Sequence, residues 1–183
     1  LEDRFYNYPK LAAYFGERAK GGVGLIITGG ISPNRQGWLL PAGGTMNTLG
    51  DIAPHRLVTH AVHKHGAKIL LQILHAGRYG YQPFVVSASP IKSPISPFKP
   101  RQLSDKQILN TIQDYVKTAS LAKKSGYDGV EIMGSEGYLI NEFIAERTNH
   151  RDDEWGGSYE NRIRFPVEIV KRTREIVGEN FII

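Results

Sequence analysis

Hydrophobic residues are distributed along the chain in two alternating patterns. Short continuous apolar runs, each with a glycine close by, are too short for helices and are typical of strands buried on both faces. Between them, longer stretches place apolar residues at helical spacing. This repeated helix–strand order predicts a parallel sheet covered by helices. The predicted strands are 25–28, 69–74, 129–133 and 181–183, and the predicted helices are 10–20, 54–64, 104–124 and 158–177.

The connections between these elements differ in length according to their direction. Each helix-to-strand connection is a short glycine-containing turn, whereas the strand-to-helix connections 29–53, 75–103 and 134–157 are long. In (β/α)8 barrels the loops after the carboxyl ends of the strands build the active site. A doubly wound open sheet has the same local order, but no Walker A or G-x-G-x-x-G fingerprint follows any strand. The missing fingerprints weaken the open sheet without excluding it, and four such helix–strand units would make half of a (β/α)8 barrel.

Composition narrows the classes of function. The chain is 40% hydrophobic and 22% charged, which is ordinary for a globular domain. It has no apolar run long enough for a membrane span and no signal-peptide layout, so a cytoplasmic location is expected. Cysteine is absent, so any cofactor must be held without thiolate bonds from these residues. The net charge of +5 favours anionic partners such as nucleotide phosphates, but the basic residues are spread out, which argues against nucleic acid.

Histidines do not form an obvious metal site. His55, His60, His63 and His65 fall on or just after the predicted helix 54–64, and no paired carboxylate at a strand end accompanies them. We interpret all of them as exposed helix residues and expect no metal to bind here.

The first two strand ends carry candidate ligand-binding residues. Thr28 is followed by Gly29 and Gly30, which allow either a tight turn or the close approach of a ligand to the backbone. Gln72 lies inside an apolar run. Its amide must find partners for both its carbonyl and its NH₂ group, and either a heterocycle edge or the neighbouring backbone could supply them.

The third strand end adds a candidate acid and a polar run. A phenol such as Tyr138 can act as a general acid because its pKa of about 10 keeps it protonated at neutral pH. The alternative is a tyrosine that bridges the core and water. The run 147–151 contains two arginines, which could grip an anionic substrate or tie down the loop through salt bridges.

Three long motifs, 72–78, 137–143 and 149–165, occur in order along the chain. Together they resemble the FMN-binding barrels of the Old Yellow Enzyme superfamily across essentially the whole sequence. The resemblance implies an α/β fold, a TIM (β/α)8 barrel of which the chain covers about half, roughly strands 2 to 5. Residues 1–183 would then be part of one FMN-binding barrel domain that is incomplete at both ends. It also implies that Gly30 and Gln72 contact the flavin, and that the last motif mostly locks the loop after the strand that ends at Met133.

A departure from the superfamily pattern points to one branch of it. Many members carry a His-x-x-His or His-x-x-Asn pair that binds a carbonyl oxygen, and those positions here are Met133 and Glu136. The stretch 133–138 instead looks like that of bacterial 2,4-dienoyl-CoA reductases, in which the tyrosine matching Tyr138 is the proton donor. In the same branch the stretch that lies against the substrate matches Arg147, Thr148, Asn149 and His150.

The resemblance implies a flavin oxidoreductase that reduces a carbon–carbon double bond of a 2,4-dienoyl-CoA thioester with electrons from NADPH. Enzymes of this type add FAD, a 4Fe-4S cluster and an NADPH site, which we expect outside these residues. Two alternatives remain open. One is another flavin-barrel enzyme, such as a xenobiotic ene-reductase or a trimethylamine-dehydrogenase-like enzyme, and the other is a truncated flavin-binding protein without turnover.

Overall fold

A computed structural model describes residues 7–183 of the chain. Within this range the α-helices are α1 (Tyr8–Lys20), α2 (Ile52–His63), α3 (Asp105–Lys124), α4 (Leu139–Ile144) and α5 (Tyr159–Val177). The strands are β1 (Leu25–Ile27), β2 (Lys68–Ile73), β3 (Val86–Ser87), β4 (Arg101–Gln102) and β5 (Gly129–Ile132). Short 3₁₀ helices cover residues 35–37, 49–51 and 77–79.

The main sheet is parallel, and its strands lie in the order β1, β2, β5. Ile182 extends the sheet beyond β5, since it forms a parallel bridge with Gly129 and its carbonyl accepts a 2.9 Å hydrogen bond from Val130 N. All four predicted strands are therefore side by side in chain order. A doubly wound sheet reverses its strand order at a switch point, whereas a barrel does not. The observed order is that of a barrel.

The hydrophobic core lies on one face of this sheet, between the strands and the helices. Ile69, Leu71 and Ile73 of β2 point into it and are fully buried. Residues on the opposite face behave differently, because Leu25 and Ile27 of β1 are 50% and 43% exposed. A sheet covered by helices on one face, with a second face free to line an interior, is what a barrel wall requires.

Sequence patterns located the long elements but missed the short ones. The predicted capping box at the start of α3 is present, since Ser104 N donates to Gln107 Oε1 at 2.9 Å. By contrast, α4 and the parallel pair of β3 and β4 lie in stretches for which the sequence pattern predicts only loops. A helix of six residues or a strand of two is too short to establish a hydrophobic period.

One histidine contradicts the prediction of exposed helix residues. His60, His63 and His65 are exposed as expected, but His55 is only 1% exposed. His55 shares its buried stripe with residues 58, 59 and 62, at the spacing of one helix face. Its Nδ1 lies 2.8 Å from the Tyr127 hydroxyl, and burial lowers the pKa of His55 to about 4.

The expected lack of a carboxylate partner is also wrong for one histidine. His63 Nε2 lies 2.7 Å from Asp128 Oδ2, and Asp128 comes directly before β5. The same carboxylate accepts a hydrogen bond from Ile69 N at 2.9 Å, so the contact ties α2 to the amino end of the sheet. The amino end of the sheet lies opposite the predicted active site, so the contact between His63 and Asp128 stabilises the fold and has no part in catalysis.

Candidate functional site

The predicted site residues follow the carboxyl ends of three neighbouring strands. Gly30 comes just after β1, Gln72 lies near the end of β2, and Tyr138 comes after β5. Because the strands are parallel and adjacent, their carboxyl ends form one edge of the sheet. The fold therefore brings all three residues to the same end of the barrel wall.

A cleft with a volume of about 350 Å³ lies beside the end of β1. Half of the residues that line it are glycines, and most of the others are apolar: Gly29, Gly30, Ser32, Gly37, Trp38, Leu39, Leu40, Gly43, Gly44 and Leu74. A Cβ atom added at Gly30 would lie 2.8 Å from Leu74 Cβ, which is too close for two carbon atoms. Gly30 is therefore required for packing against Leu74, and its contact with a flavin stays a prediction.

Gln72 is half-buried on the sheet face opposite the helices. Its Nε2 donates a 3.1 Å hydrogen bond to Glu131 Oε1, and Glu131 is its register partner in β5. The sequence analysis expected the partner of this amide to be either the neighbouring backbone or a heterocycle. It did not identify the Glu131 side chain. The signal was available in principle, because a parallel register places these two polar residues side by side.

The cleft and the Gln72 amide suit the FMN that the resemblance implies. Glycine walls leave room for a flat ring to approach the backbone closely. Within residues 7–183 the side-chain oxygen Oε1 of Gln72 accepts no hydrogen bond, which leaves an acceptor for a ring N–H. An apolar pocket with a few placed polar groups is the usual form of a cofactor site.

Tyr138 lies at the start of α4, half-buried against the apolar cluster of Leu74, Ala76 and Met133. Its ring meets the ring of Tyr79 edge to face, with 6.0 Å between the centroids. Burial, with smaller contributions from nearby Glu136 and Tyr79, raises the pKa of Tyr138 above its usual value. The phenol therefore stays protonated at neutral pH, as a general acid must.

The segment that carries Tyr79 rests on a buried carboxyl group. Glu142 is 1% exposed, and its Oε1 accepts a 2.8 Å hydrogen bond from Arg78 N. Gly77 has a φ of +57°, and a side chain there would overlap the Glu142 carboxyl. Burial raises the pKa of Glu142 to about 8. Glu142, which sequence reasoning missed, thus holds the 3₁₀ helix 77–79 against α4.

The four predicted substrate-binding residues fall into two groups. Thr148 and Asn149 are buried, and their side chains donate to backbone carbonyls, including Asn149 Nδ2 to Phe143 O at 2.7 Å. Arg147 and His150 are exposed. The structure gives the first two residues a role in holding the loop, and substrate contact by any of the four stays a prediction.

Arg151 holds the loop of residues 147–150 in place from its buried side. Its side chain is 3% exposed, and its Nη1 donates to the carbonyls of Ala88 and Leu103 at 3.1 and 2.6 Å. Its Nε donates to Asp153 at 2.9 Å, and this pairing lowers the pKa of Asp153. Arg162 adds a 2.8 Å bond from Nε to Ile144 O. These contacts agree with the expectation that the motif 149–165 mostly locks the loop.

Two other features, a metal site and a membrane-spanning helix, are absent from the part of the chain that the structure describes. Residues 7–183 contain no group of three or more histidine, aspartate or glutamate side chains placed to hold a metal ion. In the same range, no helix combines the length and the hydropathy that crossing a bilayer needs.

Comparison with known proteins agrees with this geometry. Residues 3–183 match the NADH:flavin oxidoreductase / NADH oxidase family. The chain is 40% identical over 180 residues to the NADH oxidase of Thermoanaerobacter brockii, covering 94% of this chain and 27% of that protein. It is 37% identical over 182 residues to 12-oxophytodienoate reductase 1 of Oryza sativa subsp. japonica, covering 93% of this chain and 47% of that protein.

Solved structures agree as well. Morphinone reductase superposes with a TM-score of 0.90 at 30% sequence identity, over 99% of this chain and 54% of that one. The chain thus spans about half the length of this enzyme and of the rice reductase, and about a quarter of the bacterial oxidase. The chain belongs to the NADH:flavin oxidoreductase / NADH oxidase family and forms about half of its (β/α)8 barrel.

Proposed function

We propose that the protein is an FMN-dependent oxidoreductase that reduces a carbon–carbon double bond of a 2,4-dienoyl-CoA thioester with electrons from NADPH. The observation that carries the proposal is Tyr138, a protonated, half-buried phenol at the end of the barrel wall. Met133 and Glu136 stand where many related enzymes have a carbonyl-binding pair. A methionine side chain cannot donate a hydrogen bond to a carbonyl oxygen, which favours a proton-donor mechanism through Tyr138.

The protein's own residues would bind the cofactor and supply the proton. Gly30 and Gln72 would hold the isoalloxazine ring, and the bond from Gln72 Nε2 to Glu131 leaves Oε1 of the same amide as the acceptor for the ring. When bound and reduced with electrons from NADPH, FMN would supply the hydride for the dienoyl chain. Tyr138 donates its phenolic proton to the carbon that carries the resulting negative charge, and the phenolate is then reprotonated from a neighbouring acid or water.

The runner-up is an ene-reductase that acts on simple enones. The similarity to 12-oxophytodienoate reductase and morphinone reductase favours it. Met133 disfavours it, since the expected carbonyl-binding side chain is missing. A trimethylamine-dehydrogenase-like enzyme and a flavin-binding protein without turnover are weaker candidates. FAD, a 4Fe-4S cluster and the NADPH site belong to the proposal as groups bound outside these residues.

The test uses full-length protein with bound flavin under anaerobic conditions. In the Tyr138→Phe variant we expect flavin reduction by NADPH to keep its normal rate. Reoxidation by 2,4-dienoyl-CoA should slow by about a hundred- to ten-thousand-fold, the usual loss when a general acid is removed. Stopped-flow absorbance of the flavin band measures both half-reactions.

Tyr159→Phe is the matched control, because Tyr159 is 59% exposed at the start of α5 and lines neither of the two described clefts. Equal dienoyl-CoA rates in the Tyr138→Phe and native proteins would remove Tyr138 from the mechanism. Fast reoxidation by 2-cyclohexenone but not by dienoyl-CoA would replace the proposal with the ene-reductase alternative. Protein that folds without flavin would contradict both.

A further inference from the structure

A second cleft, with a volume of about 670 Å³, lies on the same end of the barrel wall. Three separate segments line it. Arg78 and Tyr79 come from the 3₁₀ helix after β2, Lys92 comes from the proline-rich stretch 89–100, and Arg147 comes from the loop after β5. The cleft therefore lies among the long loops that build active sites in this fold.

The charged residues of this cleft are all cations. Arg78, Lys92 and Arg147 line it, and no carboxylate does. Within residues 7–183 none of the three forms an ion pair or donates a side-chain hydrogen bond. The Nε atom of Arg78 is buried and has no acceptor there, which is rare for a guanidinium group. The three cationic side chains of the cleft thus have no anionic partner among the described residues.

The neighbouring acid does not neutralise Arg78. Glu142 lies behind the 3₁₀ helix, and its Oε1 accepts from Arg78 N rather than from the guanidinium. Burial raises the pKa of Glu142 to about 8, and the nearby Arg78 charge only partly opposes this rise, so the environment favours the neutral carboxyl. The positive charge of the cleft is therefore retained.

The walls of the cleft are held in place before any ligand binds. Ser96 Oγ donates to Gly80 O at 2.9 Å, and Tyr81 Oη donates to Ile95 O at 2.6 Å. These bonds join the stretch that carries Lys92 to the segment that follows Tyr79. A site that is already ordered loses less conformational entropy when it binds a ligand.

The cleft shares a wall with the proposed proton donor. Tyr79 lines the cleft, and its ring packs edge to face against Tyr138. The guanidinium carbon of Arg78 lies 5.3 Å from the centre of the Tyr79 ring. An anionic group bound in the cleft would therefore hold an attached chain close to Tyr138.

We propose that Arg78, Lys92 and Arg147 form an anion-binding subsite for the oxyanion group of the substrate. Guanidinium groups match phosphate and carboxylate oxygens in forked geometry, and the ammonium of Lys92 adds a mobile point charge. The inference rests on the proposed function, since it assigns part of the substrate to this cleft. Two sources share this chemistry: the phosphates of a CoA thioester and the carboxylate of a free unsaturated acid.

The first experiment measures turnover by the full-length enzyme. The substrates are 2,4-dienoyl-CoA, the matching dienoyl-pantetheine thioester, which lacks the nucleotide phosphates, and the free dienoic acid. Arg147→Gln and Lys92→Gln are compared with Lys99→Gln, an exposed lysine of the same stretch that does not line the cleft. We expect the kcat/KM ratio of the CoA ester to the pantetheine ester to fall at least tenfold in the first two variants and to hold in the third.

Salt gives an independent signature. In the native enzyme the ratio of kcat/KM for the CoA ester to kcat/KM for the pantetheine ester should fall towards the ratio of Arg147→Gln as NaCl is raised to about 0.5 M. At that ionic strength exposed charges are screened within a few ångströms. If the variants lower kcat/KM for the free acid instead, the oxyanion is a substrate carboxylate. An unchanged ratio for the esters together with an unchanged kcat/KM for the free acid would overturn the proposal.

A binding measurement separates this inference from the proposed function. Calorimetry with inorganic pyrophosphate should show binding to the native protein that weakens at least tenfold in Arg147→Gln and Lys92→Gln but not in Lys99→Gln. If dienoyl-CoA is not turned over while this pattern holds, the reductase proposal fails and the subsite stands. If turnover holds while pyrophosphate binding is the same in all variants, the subsite fails and the reductase proposal stands.

Discussion

The two arginines of the loop after β5 have opposite environments. Arg151 is 3% exposed and donates to two backbone carbonyls and one carboxylate, whereas Arg147, four residues earlier, is exposed and unpaired within residues 7–183. Between them Thr148 and Asn149 turn inward and His150 turns outward. One short run of sequence therefore serves two purposes. Its buried side holds the loop in place, and its exposed side is free to meet a ligand.

Replacing Arg151 should have the largest effect on stability. In Arg151→Ala we expect the free energy of unfolding to fall by about 3 kcal/mol or more, because the carbonyls of Ala88 and Leu103 each lose a buried donor at roughly 1–3 kcal/mol. Urea unfolding of the full-length protein, followed by tryptophan fluorescence, measures the change. Trp155 lies in the same loop and is 3% exposed, so it should report local opening.

Arg151→Lys tests whether shape or charge matters at this position. An ammonium group keeps the charge but cannot reproduce the planar fork that reaches both carbonyls and Asp153. We expect Arg151→Lys to recover less than half of the free energy of unfolding that Arg151→Ala loses. Full recovery would mean that charge alone holds the loop.

Replacing Glu142 should give an effect on stability that is small in any one pH unit and depends on pH. Burial raises its pKa from 4.5 to about 8 in the folded protein, so the folded state keeps a proton that the unfolded chain releases. Its contribution to stability is therefore fully present below about pH 4.5 and is lost as the pH rises to about 8. In Glu142→Gln this loss disappears. Across that pH window the free energy of unfolding of Glu142→Gln should rise relative to that of the native protein by at most about 1.4 kcal/mol per pH unit.

The measurement is the urea midpoint of both proteins at several pH values between 5 and 8, with Glu154→Gln as the control. Glu154 is exposed, so its replacement should leave the pH slope unchanged. Parallel slopes for the native protein and Glu142→Gln would show that Glu142 is charged in the folded state. In that case Arg78 would be neutralised, and the charge argument for the second cleft would weaken.

The contrast between Arg147 and Arg151 also shows how far sequence reasoning reaches. Strands such as 69–74 and helices such as 104–124 were predicted to within one residue at each end, because they repeat a period often enough to be counted. Which arginine points inward could not be predicted, since loops have no period. The inward direction of Arg151 depends on carbonyls at positions 88 and 103, far away in the chain.

In the candidate site, too, some features follow from local sequence order and others depend on long-range contacts. The position of Tyr138 at a strand end follows from local order, and the structure places it there. The partner of Gln72 and the burial of Glu142 depend on which strands and helices become neighbours. His55 shows a third limit, because its residue type suggested exposure while its position on the buried stripe of α2 decided the outcome.

Arg147 should give the smallest effect on stability, and its neighbour provides the matched comparison. Thr148 Oγ1 lies 3.0 Å from Glu142 O and 3.1 Å from Ala145 O, so Thr148→Val should cost about 1 kcal/mol through the lost hydrogen bond. Arg147→Gln should change the free energy of unfolding by less than about 0.5 kcal/mol, as for an exposed residue without partners. Both are measured by the same urea titration. A loss in Arg147→Gln as large as that in Thr148→Val would show that Arg147 also holds the loop, and the division between a buried supporting side and an exposed binding side would fail at this residue.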